Sequence, residues 1–350
     1  MKRARPEESA AQNAAQSAAK PATPSASKRG ATRAAKRADA ALTVRRVCVL
    51  GDAHKPDVKQ LLREMRAWLV ARDCAVDVSE DVRAWCEAHA ELGPRARASG
   101  RADLYVVLGG DGAILAVARA LRDEPVPILG VNFGRVGFLA ATPATRWQES
   151  LEAVLSGASL PEPRMRLEAE IGGIDGKARA VALNEVVLQR GAHQSMLTIA
   201  LSVGGAWVTN YRADGLIVAT PSGSTAYSLS AGGPILAPAM QGVVVTPICP
   251  QGLSNRPLVL ASESELELVL THAHGLTTLV VDGQSFFQMR PGDSVRIRRH
   301  PVAYPLLAMP GLDPYRRLRE RLGWRGSIEE QEFAAPPKRA PRRDSGVDSL

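Results

Sequence analysis

The sequence predicts an N-terminal doubly wound α/β domain, followed by an antiparallel β-sandwich-like domain and a C-terminal helix. Three observations predict it. Up to about residue 141, short apolar runs alternate with segments of helical spacing. The strongest run, Leu104 to Leu108, leads through Gly109-Gly110-Asp111-Gly112 into Ile114, Leu115, Ala118 and Leu121, one apolar helix face. After Pro163 the apolar period changes to two, as in Leu197, Ile199, Leu201 and Val203.

Taken in order, residues 1–42 are Ala, Ser, Pro, Lys and Arg with almost no large apolar side chain, so they read as a disordered tail. An Arg-rich transit peptide is the alternative, weakened by Glu7 and Glu8. The α/β domain is expected over 43–141. Val44 to Gly51 is a strand, and Pro56 opens a helix carrying Val58, Leu61, Leu62, Met65, Trp68 and Leu69 on one face. Cys74 to Val78 is a short strand, and 81–97 gives no clear pattern. Val126 to Val131 is another strand. The β-rich domain is expected over 142–305, entered by a helix capped by Thr142 and begun at Pro143. Its strands include Leu167-Ala169-Ile171, Leu266-Leu268-Leu270 and Val295-Ile297, with turns at Gly172-Gly173, Gly204-Gly205 and Pro291-Gly292-Asp293. Leu312, Tyr315, Leu318 and Leu322 mark an amphipathic helix within 306–326, and 327–350 reads as a second polar tail.

Charge placement excludes one function class. The formal charge is +8, but residues 1–46 alone hold eleven bases and three acids. The body between the tails keeps twenty-nine bases against twenty-eight acids, which is no footprint for nucleic acid. No apolar run is long enough to cross a membrane. Four cysteines without a CxxC pair point to free thiols and a cytoplasmic setting rather than a disulfide framework or zinc site. His272 and His274 could share a strand face, a weak metal signal on its own.

The strand–glycine turn–helix unit is where chemistry is expected. Glycines admit close backbone approach, and the N–H groups at a helix start favour an anion. A carboxylate inside such a turn would be repelled by that anion, so it must serve otherwise, by holding a metal or by taking a proton from an attacking hydroxyl. Asp-Gly pairs also fill tight turns for local reasons, so both readings stand here. The unit is not a dinucleotide fingerprint, because position 115 is leucine, and no Walker A loop is present. Two further stretches break the β pattern. One is Leu183-Asn184-Glu185-Val186-Val187-Leu188, and the other is Asp214 to Ile235, dense in glycine and hydroxyls.

The whole arrangement resembles the NAD kinase family from about Val44 to Trp324. The match rests on GGDG at 109–112, GVNFGRVGFLA at 130–140, NEVVL at 184–188, YRADGLIVATPSGSTAYSLSAGGPI at 211–235, CPQGLSNRPLV at 249–259 and DGQ at 282–284. GGDG is shared with lipid kinases and phosphofructokinases; the 211–235 stretch carries the family. The resemblance implies transfer of the γ-phosphoryl of ATP to the 2′-hydroxyl of the adenosine ribose of NAD. It implies Asp111 as general base, Gly109, Gly110 and Gly112 at the phosphates, and Mg²⁺ or another divalent ion with ATP. Asn184 and Glu185 would bind adenosine. Ser195, Asp214, Thr225, Ala226, Tyr227, Ser228, Leu229, Ser230 and Gln284 fall on substrate positions, and Arg212 resembles the ATP-using branch. Homodimers or homotetramers, with neighbouring subunits completing the site, are implied as well. The sequence departs from the family pattern at Ala113, Ser222 and Gln251-Gly252. The alternatives are a lipid kinase sharing GGDG and a pyridine-nucleotide sensor without catalysis.

Overall fold

The strand Leu104–Leu108 (β3) is buried at every position because both of its faces are covered. Leu104, Val106 and Leu108 face one apolar cluster, and Tyr105 and Val107 face another. The computed structural model describes residues 43–92, 101–123, 126–134, 137–140, 142–173, 176–191, 195–308, 311 and 314–324. Within it, β1 (Arg46–Gly51) and β2 (Ala75–Ser79) flank the helix α1 (Pro56–Val70), whose predicted apolar face is buried at Val58, Leu61, Leu62, Met65 and Leu69. The unpatterned stretch contains α2 (Val82–Glu91), capped by Asp81, whose carboxylate accepts the Arg83 and Ala84 amides at 2.9 and 3.0 Å. The helix α3 (Asp111–Leu121) follows β3, and β4 (Ile128–Asn132) comes next.

The predicted helix start at Thr142-Pro143 is corrected. These two residues form a short strand, β5 (Thr142–Pro143), parallel to Val131–Asn132. Pro143 keeps an extended ψ of 143°, and a 3₁₀ turn intervenes before α4 (Trp147–Leu155). The α/β sheet also runs past the expected boundary at 141. β6 (Glu162–Arg164) belongs to it, and so does the last strand among the described residues, Tyr304–Leu307, which lies parallel to β4. The order β2-β1-β3-β4 is parallel throughout, with the reversal between β1 and β3. Helices α1 and α4 cover one face, and α2 and α3 the other. The carboxyl ends at this reversal are where such sheets hold ligands, and the glycine turn begins there.

The β-rich half stacks two six-stranded antiparallel sheets. One contains β7 (Leu167–Gly173), β8 (Gly176–Ala182), β10 (Leu197–Val203), β11 (Ala206–Ala213), β15 (Leu266–His272) and β18 (Ser294–Arg299). The other contains β9 (Glu185–Arg190), β12 (Gly215–Ala219), β13 (Gly242–Ile248), β14 (Leu258–Ala261), β16 (Thr277–Val281) and β17 (Ser285–Met289). The first sheet alternates because only one face packs inward. The second reads as apolar runs because its outer face is also covered: Val187, Ile217, Val244 and Val280 meet Leu236 and Ala231 from the glycine- and hydroxyl-rich segment. That segment carries the short helix α5 (Tyr227–Ser230). After β19 (Tyr304–Leu307) comes α6 (Pro314–Leu322), as expected; Leu312 and both tails lie outside the described residues.

One contact fixes how α3 sits on the sheet. A Cβ at Gly130 would stand 2.4 Å from Ile114 Cδ1 and 2.9 Å from Ala140 Cα. Gly130→Ala is therefore expected to destabilise the full chain by ~1–3 kcal/mol through overpacking. The measurement is a urea midpoint lowered at constant m-value.

Candidate functional site

The site begins at Gly110, which caps α3, and at Asp111, the first residue of that helix. A Cβ on Gly110 or Gly112 would meet nothing within 4 Å, so open space lies over the first-turn amides. Asp111 is not idle in its turn. Its Oδ2 accepts the Phe138 amide at 2.9 Å, and its Oδ1 accepts the Leu139 and Ala140 amides at 3.1 and 2.9 Å. Gly137 is glycine for this reason, since a Cβ there would overlap Asp111 Oδ1 at 1.9 Å. A carboxylate offers about four lone-pair positions, so three amides leave about one, on Oδ2.

A second aspartate repeats the arrangement from the β-sandwich. Asp282 Oδ2 accepts the Leu183 amide at 2.7 Å, and Oδ1 accepts Asn184 and Glu185 at 2.8 and 3.0 Å. Its own amide donates to the Glu185 carbonyl at 3.0 Å. Two residues on, Gln284 Nε2 donates to the Gly112 carbonyl at 2.9 Å. The turn 282–284 thus ties the Asn184-Glu185 corner to the start of α3. Sequence reasoning carried over Gln284 from this motif and missed Asp282. The available signal was an Asp-Gly pair directly after an apolar strand, the same signature that singled out Asp111.

The 220–230 segment closes the corner. Thr220 donates its amide to the Asn184 carbonyl at 2.8 Å and its hydroxyl to the Leu183 carbonyl at 2.6 Å. Gly223 presses so close that a Cβ would stand 2.1 Å from the Asn184 carbonyl oxygen. Thr225, Ala226 and Leu229 are half-buried, and Tyr227 and Ser230 are exposed. Ser228 differs from the other candidates of this run: it is fully buried and bonded to Thr246 Oγ1 at 2.9 Å, a packing role.

The electrostatics follow from burial. Desolvation pushes the Glu185 carboxyl up to about 8, with the nearby Asp282 charge adding to it. Desolvation also raises Asp282, to about 6, against the pull of its three amides and of the Arg119 charge. Burial therefore favours the neutral acid at Glu185 near neutral pH. Asn184 Oδ1, Glu185 Oε2 and Gln284 Oε1 are buried with no hydrogen-bond partner among the described residues. Native interiors rarely leave such groups unmet, so three in one corner call for a polar ligand.

The remaining candidates lie elsewhere. Asp214 precedes β12, while Thr220 follows it, so the two are separated by the length of that strand, roughly 17 Å. Asp214 is ion-paired with Arg190 at 2.8 Å, and the Arg212 carbonyl accepts the Gln251 amide at 2.8 Å. Ser195 sits two residues before Leu197, which pairs with Ala213, and so belongs to this second cluster. The chain alone does not bring Ser195, Arg212 and Asp214 to the first corner. His272 and His274 contact each other through Nε2 at 3.0 Å, and no group of three metal-ligating side chains is found among the described residues.

Comparison with known proteins covers both halves of the chain. The family described as ATP-NAD kinase N-terminal domain matches residues 47–159, and ATP-NAD kinase C-terminal domain matches 183–308. An NAD kinase of Chromobacterium violaceum is 38% identical over 283 residues, covering 80% of this chain and 97% of that protein. An NAD kinase of Rhodopirellula baltica is 44% identical over 227 residues, 65% of this chain and 73% of that protein. Among solved structures, yeast NADH kinase complexed with NADH superposes with a TM-score of 0.74 at 27% identity, covering 83% of this chain and 91% of that one. An NAD kinase from Archaeoglobus fulgidus in complex with ATP gives 0.60 at 26%, covering 79% and 97%. Both halves of the molecule match, where GGDG alone would have left the lipid kinases open, and the chain belongs to the NAD kinase family.

Proposed function

We propose that this NAD kinase uses Asp111 as the general base in moving the γ-phosphoryl of ATP to the 2′-hydroxyl of the adenosine ribose of NAD. The observation that carries this reading is the corner itself: one open lone pair on Asp111 Oδ2, and three buried oxygens, on Asn184, Glu185 and Gln284, that lack partners. A ribose with its hydroxyls and an adenine with its amine supply such donors. The 2′-hydroxyl gives its proton to Asp111 as its oxygen bonds to the γ-phosphorus; the bond to the β–γ bridging oxygen breaks, and ADP leaves with that electron pair. The amides of the first turn of α3, at Gly110 to Gly112, face the phosphates. Gly109 serves differently, letting the chain turn closely against Ala113, whose Cβ would lie 2.9 Å from a Cβ at 109.

Asn184 takes the adenine edge, whose donor and acceptor match an amide. Glu185, protonated before substrate arrives, can both donate to and accept from ribose hydroxyls. Tyr227 offers an exposed ring to stack on the base, flanked by Thr225, Ala226, Leu229 and Ser230. The residues fit a magnesium ion that arrives on ATP: the site offers hard oxygen donors but no cage, and Mg²⁺ usually keeps water and leans on substrate phosphates. Bound there, the ion would neutralise triphosphate charge. The second cluster is read as a contribution to a neighbouring copy's site in a homodimer or homotetramer. The four free cysteines fit a cytoplasmic setting, and no helix among the described residues could cross a membrane. A coupled assay for NADP, with ATP and polyphosphate as donors and sphingosine and diacylglycerol as control acceptors, tests the reading as a whole.

Three results are expected. Asp111→Asn should lower kcat by ~10²–10⁴. The new amide nitrogen would face the Phe138 amide, donor against donor, so the thermal midpoint should fall as well. Loss of kcat at a temperature where the variant is fully folded by circular dichroism marks the base; near-parent activity there would remove it.

For Glu185 the readout is stability against pH. Between the unfolded value of 4.5 and about 8, the folded chain keeps a proton at Glu185 that the unfolded chain has lost. Its contribution therefore falls as pH rises through that window. Glu185→Gln mimics the neutral acid, so its thermal midpoint should match the parent's at low pH and exceed it above about 8. A difference independent of pH would place an ionised carboxylate there.

Subunit sharing predicts complementation. Asp111→Asn and Asp214→Asn chains, each impaired alone, should regain about a quarter of parent activity when co-assembled at random as dimers. No recovery in mixed oligomers confirmed by mass spectrometry would confine the site to one chain.

A further inference from the structure

A cavity of about 320 Å³ lies behind α3, between its C-terminal half and strands β8 and β17. It adjoins the corner described above through Leu183 and Asp282 and extends away from it: Arg119 on its wall is seven residues along α3 from Gly112, roughly 10 Å by helical rise. Arg119, Arg122, Arg166 and Arg179 line it, against Asp123 and Asp282. Both acids are already engaged. Asp282 holds three backbone amides, and Asp123 pairs with Arg179 at 3.0 Å and with His300 at 2.9 Å.

The other three guanidinium groups form no ion pair among the described residues. Arg119 reaches the Ser285 hydroxyl at 3.4 Å, and Arg122 reaches the Ala90 carbonyl at 3.2 Å. Arg166 is the telling one, because it is only 2% exposed. It donates to the Val302 carbonyl at 3.0 Å and the Arg122 carbonyl at 2.6 Å, and meets His300 Nδ1 at 3.2 Å. Its direct partners are neutral, and Asp123 beyond His300 offsets only part of the burial cost, so the pKa of Arg166 is lowered, a costly state for a buried cation. Backbone strain adds a second observation. Arg122 caps α3 with φ 50° and ψ −120°, a region suited to glycine, yet the residue there is arginine. The strained turn directs the Arg122 carbonyl onto Arg166 Nη1 and its guanidinium across to α2, so it anchors Arg166 at this wall.

We propose that this cavity binds a compact anion carrying two phosphate groups. Guanidinium forks match phosphate oxygens in pairs, and the volume lies at the small end of ligand pockets. The site shares Asp282 with the adenosine corner, so its occupant sits against the residue that clamps Asn184 and Glu185.

The test is calorimetry on the full chain with NAD and a non-hydrolysable ATP analogue saturating. Inorganic pyrophosphate is titrated in one series and a hexose bisphosphate in another, which separates a free diphosphate from a sugar-borne pair. Saturable binding of either, weakened at least tenfold in Arg119→Gln/Arg122→Gly, supports the site. Glycine relieves the strain at 122, so the Arg122→Gly single variant should melt no lower than the parent, and weakened binding cannot then be read as unfolding. The proposal fails if neither probe binds, if the nucleotide analogue displaces both, or if the double variant binds as tightly as the parent.

Discussion

The structure around the reacting groups depends on one interaction made twice: a carboxylate that accepts three consecutive backbone amides. Asp111 does this for 138–140 and Asp282 for 183–185. A loop of successive amides is a poor element to hold by side-chain packing, because its own polar groups need partners. A carboxylate meets three of them at once with charge-assisted bonds, stronger than neutral ones. Gln284 then joins the two brackets through the Gly112 carbonyl, so the α/β layer and the sandwich are registered against each other at the place where chemistry is expected.

The brackets have an energetic counterpart. The groups they leave over are unfavourable in the empty chain: a buried glutamic acid, a strained-turn aspartate at φ 50°, and unpartnered amide oxygens on Asn184 and Gln284. Such groups are costly to bury, and the core elsewhere must offset them. The offset is visible. Both faces of β3 are sealed by helices, and the sandwich sheet that carries Glu185 is covered on both sides, so the site stands on strands that are fully enclosed. A preorganised polar corner on a rigid base is what transition-state stabilisation requires.

Topology explains why the candidates separate into two groups. β12 runs the length of the sandwich, with the Thr220 turn at one end and Asp214 at the other. Residues close in sequence across a strand are distant in space, whereas Gly112 and Gln284, 172 positions apart, touch. The return of β19 beside β4 makes the α/β layer discontinuous in sequence and gives the sandwich two covalent connections to it. The segments that leave and re-enter at Arg164 and Tyr304 are paired strands, so both connections to the sandwich run side by side.

By itself the sequence determined the layers and the chemistry's vocabulary. Apolar period distinguishes a doubly wound sheet from a sandwich because period reports which faces are covered, and burial of both faces turned β3 and β12 into continuous runs. Glycine beside Asp111, and the density of small residues at 220–233, were legible because close backbone approach admits few residue types. Other features were decided only by the tertiary structure. Thr142-Pro143 became a strand because β4 offered it an edge, and no local signal reports an edge. Ser228 turned inward because Thr246 waits beneath it. The Glu185 carboxyl is pushed up by what surrounds it, and Asp282 matters because three amides distant in sequence point at it. Propensity and period are properties of neighbours in sequence; pairing, burial and charge are set by neighbours in space, and the site is built from the latter.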